Sequence, residues 1–141
     1  MKPGDRAPDF SLVATDGTTV ALPQGDVVLF FYPKDDTPGC TIEANEFTAC
    51  YEQFQEKGVA VFGISADDNA SHCAFTEKFA LTVPLLSDTD MHVTKAYGCL
   101  GEWKGEPSVM RKTFVLKDGI ITKVYEDVTP EGHAQDVFSL F

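Results

Sequence analysis

The chain of 141 residues is long enough for one domain with a hydrophobic core and too short for two of ordinary size. Hydrophobic residues make up 43% of it and include 11 phenylalanines, as is usual for a globular protein. The net charge of −11 argues against nucleic acid or an anionic membrane surface as a partner. No stretch approaches the length of a membrane span, and residues 1–6 lack the apolar run of a signal peptide. We therefore expect a single domain over residues 1–141, located in the cytoplasm.

Most of the predicted strands are apolar runs bounded by turn residues. Two turn pairs, Asp16-Gly17 and Asp118-Gly119, predict β-hairpins, and the second is the stronger signal. Residues 27–32 and 59–65 are continuously apolar, as expected of central strands covered on both faces. In chain order, the predicted strands and extended segments are residues 10–13, 18–22, 27–32, 59–65, 83–86, 113–116 and 120–124.

Four helices are predicted between or after these strands. The first has Thr37 at the N-cap position, Pro38 as its first helical residue and Gly58 at its end. The helices span residues 38–57, from a cap at 67–69 to about 80, from a cap at 88–90 to about 97, and 130–140. Residues 99–110 are predicted to be a loop because they contain two glycines and a proline. This order predicts an α/β, thioredoxin-like fold: a mixed central sheet with helices on both faces and an N-terminal hairpin.

One cysteine lies where its chemistry would be activated. Cys40 is the third residue of the first predicted helix, beside backbone N–H groups without helical partners and at the positive end of the helix dipole. Both effects favour the thiolate, which is the nucleophile, whereas an ordinary cysteine is only a few per cent ionised at neutral pH. The other cysteines, Cys50, Cys73 and Cys99, are too widely spaced for a CxxC motif of the redox or zinc kind.

The sequence around Cys40 resembles a known family. Pro33, Thr37 and Cys40 fit the peroxiredoxin pattern Pro-x-x-x-Thr-x-x-Cys. The fuller string Phe-Tyr-Pro-Lys-Asp-Asp-Thr-Pro-Gly-Cys-Thr-Ile-Glu-Ala is similar to the bacterioferritin-comigratory, or Q-type, peroxiredoxins in particular. Arg111 falls where that family has an arginine just before a strand. The likeness also extends over residues 4–10, 64–67 and 84–88, so that it covers most of the chain.

The resemblance implies an antioxidant enzyme that reduces hydrogen peroxide and organic hydroperoxides with a thiol. In the implied cycle Cys40 becomes a sulfenic acid, a second thiol converts it to a disulfide, and thioredoxin or a glutaredoxin-like dithiol restores the enzyme. The resemblance further implies a monomer that needs no metal or other cofactor.

Four further residues receive roles from the resemblance. Arg111 would place a positive charge beside the sulfur, Thr37 would offer its hydroxyl to the peroxide, and Pro33 would shield the pocket from water. Glu43, which we place in the first helical turn where the dipole favours an acid, would help to organise the site. Each has a simpler alternative: Thr37 could be only a cap, Arg111 a surface residue, Pro33 the end of a strand and Glu43 an acid favoured by the dipole alone.

Three cysteines are candidates for the second thiol. Cys50 follows Cys40 by roughly 15 Å along the same helix and lies in its apolar stripe, so we expect a buried core residue. Cys73 is the first choice because it lies off the apolar side of its helix, although other members of the family carry this cysteine one turn later, near Thr76. Cys99, at the start of the predicted loop, is the second choice. Direct attack of an external thiol on the sulfenic acid is the remaining possibility.

The remaining signals favour structural roles. His72 beside a cysteine could suggest a metal ligand or a base, but with no third ligand nearby we expect a histidine on the helix surface. We expect the same of His92 and His133. Trp103 either covers the pocket or packs on the loop. Two other functions stay open: a thiol–disulfide oxidoreductase, which usually has a CxxC motif, and a non-catalytic redox sensor that reports oxidation to a partner.

Overall fold

The computed structural model describes residues 1–141 as a seven-stranded mixed sheet flanked by helices, with a separate two-stranded sheet. The strands are β1 (Ser11–Ala14), β2 (Thr19–Ala21), β3 (Asp26–Phe31), β4 (Ala60–Ser65), β5 (Leu85–Ser87), β6 (Leu100–Trp103), β7 (Glu106–Val109), β8 (Lys112–Lys117) and β9 (Ile120–Tyr125). The helices are α1 (Pro38–Glu56), α2 (Asn69–Phe79), α3 (His92–Ala96) and α4 (His133–Phe138). No helix is both long enough and apolar enough to cross a bilayer.

The large sheet has the strand order β2-β1-β5-β4-β3-β8-β9. Strands β3, β4 and β5 are parallel neighbours, whereas β1, β8 and β9 pair antiparallel with theirs. Parallel neighbours require a crossover connection, which α1 and α2 supply. The predicted thioredoxin-like arrangement is confirmed, with β1 and β2 as the N-terminal hairpin at one edge.

Strand β3 is an interior strand of the sheet, between β4 and β8, and its alternating side chains enter two different cores. Phe30 stacks on Phe47 of α1 with ring centroids 4.3 Å apart. Phe31 faces the opposite side, where its ring lies 5.4 Å from that of Tyr97 at the end of α3. Because both faces are covered, the buried positions 27–31 are all apolar, which is why this continuous apolar run predicted a central strand.

Residues 99–110 are not the loop that the sequence predicted. Strands β6 and β7 form an antiparallel hairpin that turns at Lys104 and Gly105, with positive φ values of 51° and 80°. Two positive φ values match the turn type that suits the twist of a hairpin. Pro107 is tolerated in β7 because a two-stranded sheet consists only of edge strands. The glycine and proline that predicted a loop are therefore the turn and edge residues of a hairpin.

Candidate active site

The candidate site begins at the start of α1, on the loop that follows β3. Thr37 is the N-cap residue with extended backbone and Pro38 is the first helical residue, so Cys40 is the third, as predicted. The Thr37 side chain makes no capping hydrogen bond, and its hydroxyl instead donates to the Lys34 carbonyl at 2.9 Å. No side-chain cap therefore neutralises the first-turn N–H groups, and the positive end of the helix dipole remains available to Cys40.

Strand pairing brings Arg111 next to Cys40, although the two residues are 71 positions apart in the chain. Arg111 directly precedes β8, whose residue Lys112 pairs with Phe31 at the end of β3. Its Nη2 donates to Cys40 Sγ at 3.2 Å, and its Nη1 donates to Glu43 Oε1 at 2.7 Å. Cys40 is only 2% exposed. The cation therefore contacts the sulfur directly in a place that is largely closed to water, where a charge-assisted hydrogen bond is strong.

The position of Glu43 in α1 differs from the prediction. It is the sixth residue of α1, beyond the first turn, so the helix dipole does not account for it. Its side chain is fully buried, and Oε2 has no hydrogen-bond partner. Burial raises the pKa of Glu43 to about 7 against the opposing effect of Arg111. Burial also acts to lower the pKa of Arg111, but Glu43 and Cys40 outweigh it, and the pKa of Arg111 is raised. Arg111 stays a cation between two groups that can carry negative charge.

A cavity of about 750 Å³ opens beside these groups. Pro33, Thr37 and Arg111 line it on the side of the thiol. Trp103 of the β6–β7 hairpin lines it as well, and Met110 follows the end of that hairpin. Trp103 is 67% exposed, so it belongs to the wall of the cavity rather than to the core. The cavity wall thus combines Arg111, which contacts the Cys40 sulfur, with the apolar side chains of Trp103 and Met110.

The other three cysteines differ in burial, and all four are free thiols. Cys50 is buried in α1 as predicted, and burial raises its pKa. Cys73 is exposed as predicted, and its thiol donates to the Thr15 carbonyl at 3.3 Å. Cys99 does not lie in a flexible loop: it is fully buried, and burial raises its pKa to about 12. Of the three, Cys73 alone is exposed.

Two of the three histidines are not on the helix surface where we predicted them. His72 is fully buried, and His133 is 4% exposed. His133 Nε2 lies 2.8 Å from Thr113 Oγ1, and burial lowers the pKa of His133 to about 4. His92 is exposed on α3, as predicted. The burial of His72 had a signal in the sequence, because it lies three residues before Phe75 and hence on the same side of the helix.

Two groups of side chains have the residue types that bind metals. In the first, the ring and carboxylate atoms already hydrogen-bond with each other and with their neighbours. In the second, the buried carboxylate accepts the backbone N–H groups at the start of α3. Both donor sets are engaged in structural hydrogen bonds, and they consist of Asp35, Asp67 and His72, and of Asp88, Asp90 and His92.

The sequence matches known proteins over nearly its whole length. The AhpC/TSA family profile matches residues 3–124. The chain is 39% identical to a putative peroxiredoxin bcp of Helicobacter pylori, over 97% of this chain and 95% of that relative. It is 43% identical to the chloroplastic peroxiredoxin Q of Arabidopsis thaliana, over 94% of this chain and 63% of that longer relative.

The fold matches solved structures of the same kind. A cysteine variant of PrxQ from Xylella fastidiosa has a TM-score of 0.93 at 31% identity, covering 99% of this chain and 94% of that one. The bacterioferritin comigratory protein of Xanthomonas campestris, described for its alkyl peroxide reduction activity, has a TM-score of 0.87 at 32% identity, covering 93% and 88%. Fold and relatives together define a thiol peroxidase of the thioredoxin-like class. The chain belongs to the AhpC/TSA family, as a peroxiredoxin of the BCP/PrxQ type.

Proposed function

We propose that Cys40 is the nucleophile of the peroxidase reaction. The observation that carries this proposal is the 3.2 Å contact between Arg111 Nη2 and Cys40 Sγ at the start of α1. A cation and a helix N-terminus both favour the thiolate, which attacks one oxygen of the peroxide. An S–O bond forms as the O–O bond breaks, and Cys40 becomes a sulfenic acid. The departing oxygen takes a proton from solvent and leaves as water or as an alcohol.

The neighbouring residues orient the peroxide in this proposal. Arg111 stabilises the negative charge that develops on the departing oxygen, and Glu43 holds the guanidinium in position. Thr37 turns its hydroxyl from the Lys34 carbonyl towards the peroxide. Pro33 forms part of the wall that limits access of water. These parts agree with the lining of the cavity, which includes Pro33, Thr37 and Arg111.

Cys73 is the resolving thiol in this proposal, and Cys99 remains the second candidate. Exposure favours Cys73, whereas burial and a pKa of about 12 disfavour Cys99. The sulfenic acid condenses with the Cys73 thiol, so that a disulfide forms and water is released. A dithiol protein of the thioredoxin or glutaredoxin type then reduces the disulfide by exchange. In this proposal the Cys73 thiol leaves the Thr15 carbonyl, which it contacts at 3.3 Å, and the start of α2 opens locally to bring the two sulfurs together.

The substrates proposed are hydrogen peroxide and organic hydroperoxides. Apolar side chains such as Trp103 and Met110 line the cavity beyond the thiol and can pack against an organic group. The Xanthomonas campestris relative, described for alkyl peroxide reduction, supports this range. We also propose a monomer in the cytoplasm, where reductants are available to restore the thiols after each turnover.

The deciding experiment measures thioredoxin-coupled peroxide consumption by Cys40→Ser. We expect this variant to be inactive, whereas Cys50→Ser, which changes the buried thiol of the same helix, retains activity per folded molecule. Peroxide turnover by Cys40→Ser at the original rate would disprove the proposal.

The disulfide map after one equivalent of peroxide identifies the resolving thiol. Mass spectrometry should find Cys40 linked to Cys73, and Cys73→Ser should leave Cys40 as a sulfenic or over-oxidised acid. A disulfide between Cys40 and Cys99 would overturn the assignment of Cys73.

A further inference from the structure

A buried polar cluster lies under the loop between β3 and α1, and none of the roles above uses it. His72 is fully buried and Asp35 is 7% exposed, and His72 Nδ1 lies 2.7 Å from Asp35 Oδ2. The Asp35 carboxylate also accepts hydrogen bonds from the hydroxyls of Tyr32 at 2.6 Å and Ser71 at 2.8 Å. The other ring nitrogen, His72 Nε2, lies 3.1 Å from the Leu86 carbonyl oxygen.

Both ring nitrogens of His72 face oxygen atoms that act as acceptors. The Leu86 carbonyl can only accept, so Nε2 is a donor. Burial acts to raise the pKa of Asp35, but the hydrogen bond and charge of His72, with the hydroxyl donors, outweigh burial, and the pKa of Asp35 is lowered. Asp35 is therefore a carboxylate, and Nδ1 is a donor as well. The fully buried His72 ring therefore donates from both nitrogens and forms an ion pair with a single carboxylate.

The ion pair joins the loop between β3 and α1, residues 32–37, to α2, which carries Cys73. We call this loop the catalytic loop. Asp35 lies in the middle of the loop that leads from β3 into α1. His72 lies in the first turn of α2, directly before Cys73, and its Nε2 contact reaches β5. A second link between the loop and α2, the pair of Lys78 and Asp36, is exposed at both ends and contributes little.

We propose that His72 is a positioning residue that speeds the oxidation of Cys40 and slows the later formation of the disulfide. With its ion pair closed, the loop that carries Pro33 and Thr37 is held in place for attack of Cys40 on the peroxide. With the ion pair open, the first turn of α2 is released and Cys73 can approach the sulfenic acid. This role rests on the proposed function, in which Cys40 is the nucleophile and Cys73 the resolving thiol.

The two steps compete because His72 and Cys73 are adjacent. Cys73 Sγ must leave the Thr15 carbonyl to reach Cys40, and unwinding the first turn of α2 pulls His72 out of its buried position. Opening a buried ion pair is costly, since each charge loses its partner. The closed pair therefore keeps the peroxide-reactive form folded and slows formation of the disulfide.

The His72 ring has few titratable neighbours. The titratable groups that face it are Asp35, Tyr32 and Asp67, whose carboxylate accepts the Asp35 N–H at 2.8 Å. Burial and the negative charge of Asp35 raise the pKa of Tyr32 well above its ordinary value, so Tyr32 stays neutral.

The test compares His72→Gln with His92→Gln, a matched change at the exposed histidine of α3. Stopped-flow kinetics give the rate of Cys40 oxidation, and quenched samples analysed by mass spectrometry give the rate of Cys40–Cys73 disulfide formation. We expect His72→Gln to slow Cys40 oxidation by about tenfold, because the loop is no longer held in its reactive geometry. We expect the same variant to speed disulfide formation several-fold, and His92→Gln to change neither rate.

The opposite direction of the two rate changes separates this role from a merely structural one, because general loosening of the fold would not slow Cys40 oxidation and speed disulfide formation only at this histidine. Slowing of both steps, or equal effects of His72→Gln and His92→Gln, would overturn the proposal. If His72→Gln does not fold, Asp35→Asn removes the same ion pair and is judged by the same two rates.

A failure of the proposed function has a different signature. It would appear as peroxide turnover by Cys40→Ser or as a disulfide that excludes Cys73, whatever the effect of His72→Gln.

Discussion

Arg111 and Gly39 together shape the surroundings of the Cys40 sulfur. A Cβ at position 39 would lie 3.1 Å from Arg111 Nη2, so the glycine leaves the guanidinium room to approach the start of α1. The planar guanidinium then donates to two acceptors at once, one nitrogen to the sulfur and the other to Glu43. A lysine offers a single compact charge and does not reproduce this geometry.

Arg111→Gln is expected to lower the second-order rate constant of Cys40 oxidation by about 10²- to 10³-fold, the usual effect of removing one donor that stabilises developing charge. Arg111→Lys should restore only part of the rate, because it keeps the charge but loses the double contact. Stopped-flow measurements with Arg6→Gln, a change at an exposed arginine, provide the control. A loss of less than about threefold in Arg111→Gln would contradict the role assigned to the guanidinium.

Glu43 should make the stability of the protein depend on pH. Its pKa is raised from 4.5 to about 7 in the folded state, so the folded chain binds this proton more tightly than the unfolded chain. The Glu43 contribution to the free energy of unfolding is therefore present below pH 4.5 and is lost as pH rises through 7, a change of about 3 kcal/mol. Urea titrations from pH 4.5 to 8 should show this decline in wild type and in Glu52→Gln, an exposed position of α1. Glu43→Gln should lack the decline, and an unchanged pH dependence in that variant would exclude the effect.

At the scale of elements, the β6–β7 hairpin decides the shape of the cavity beyond the thiol. It is paired only with itself and stands apart from the seven-stranded sheet. It presents Trp103 to the cavity, while Leu100 at its other end lines a different, smaller hollow. The hairpin can therefore affect substrates with an organic group without changing the attack on the peroxide bond.

Trp103→Ala is expected to lower kcat/KM for cumene hydroperoxide by about tenfold, because roughly 50 Å² of apolar contact with the indole is lost. The value for hydrogen peroxide, which has no organic group, should stay within about twofold. Leu100→Ala on the same hairpin is the matched control and should change neither value. Equal losses for both peroxides would mean that Trp103 acts on the thiol site and not on the organic group.

At the scale of the whole molecule, negative charge dominates the field that a substrate meets. The chain carries a net charge of −11. Lys34 and Arg111 line the cavity on the side of the thiol, but three carboxylates, those of Glu102, Glu106 and Glu126, also line it. This field does not change the association rate of neutral peroxides, whereas it repels anionic peroxides during their approach.

A hydroperoxide that bears a carboxylate should therefore react more slowly than a neutral one of similar size at low salt. Its kcat/KM should rise as ionic strength increases from about 20 mM to about 200 mM, because salt screens the repulsion. Cumene hydroperoxide should show no such rise. Exchanging Glu102 and Glu106 for glutamine should reduce the salt dependence, and an anionic substrate whose rate is independent of salt would refute the electrostatic argument.

The start of α1 could be predicted from the sequence because the forces that set it are local. An N-cap residue, a proline at the first helical position and the helix dipole all act within one turn, so they put Cys40 at the third helical position whatever the rest of the chain does. The continuous apolar run of β3 likewise predicted a central strand. These two features, with the family resemblance, determined the fold class and the candidate nucleophile.

Only the tertiary structure decided which distant groups meet that nucleophile. Pairing of β8 with β3 brings Arg111 to Cys40 Sγ, and packing of α2 under the catalytic loop buries His72 against Asp35. The core on the other face of the sheet buries Cys99, which looked accessible in a predicted loop. Burial and ion pairing depend on segments far apart in the chain, and a pattern read along one segment does not contain the partner that the fold supplies.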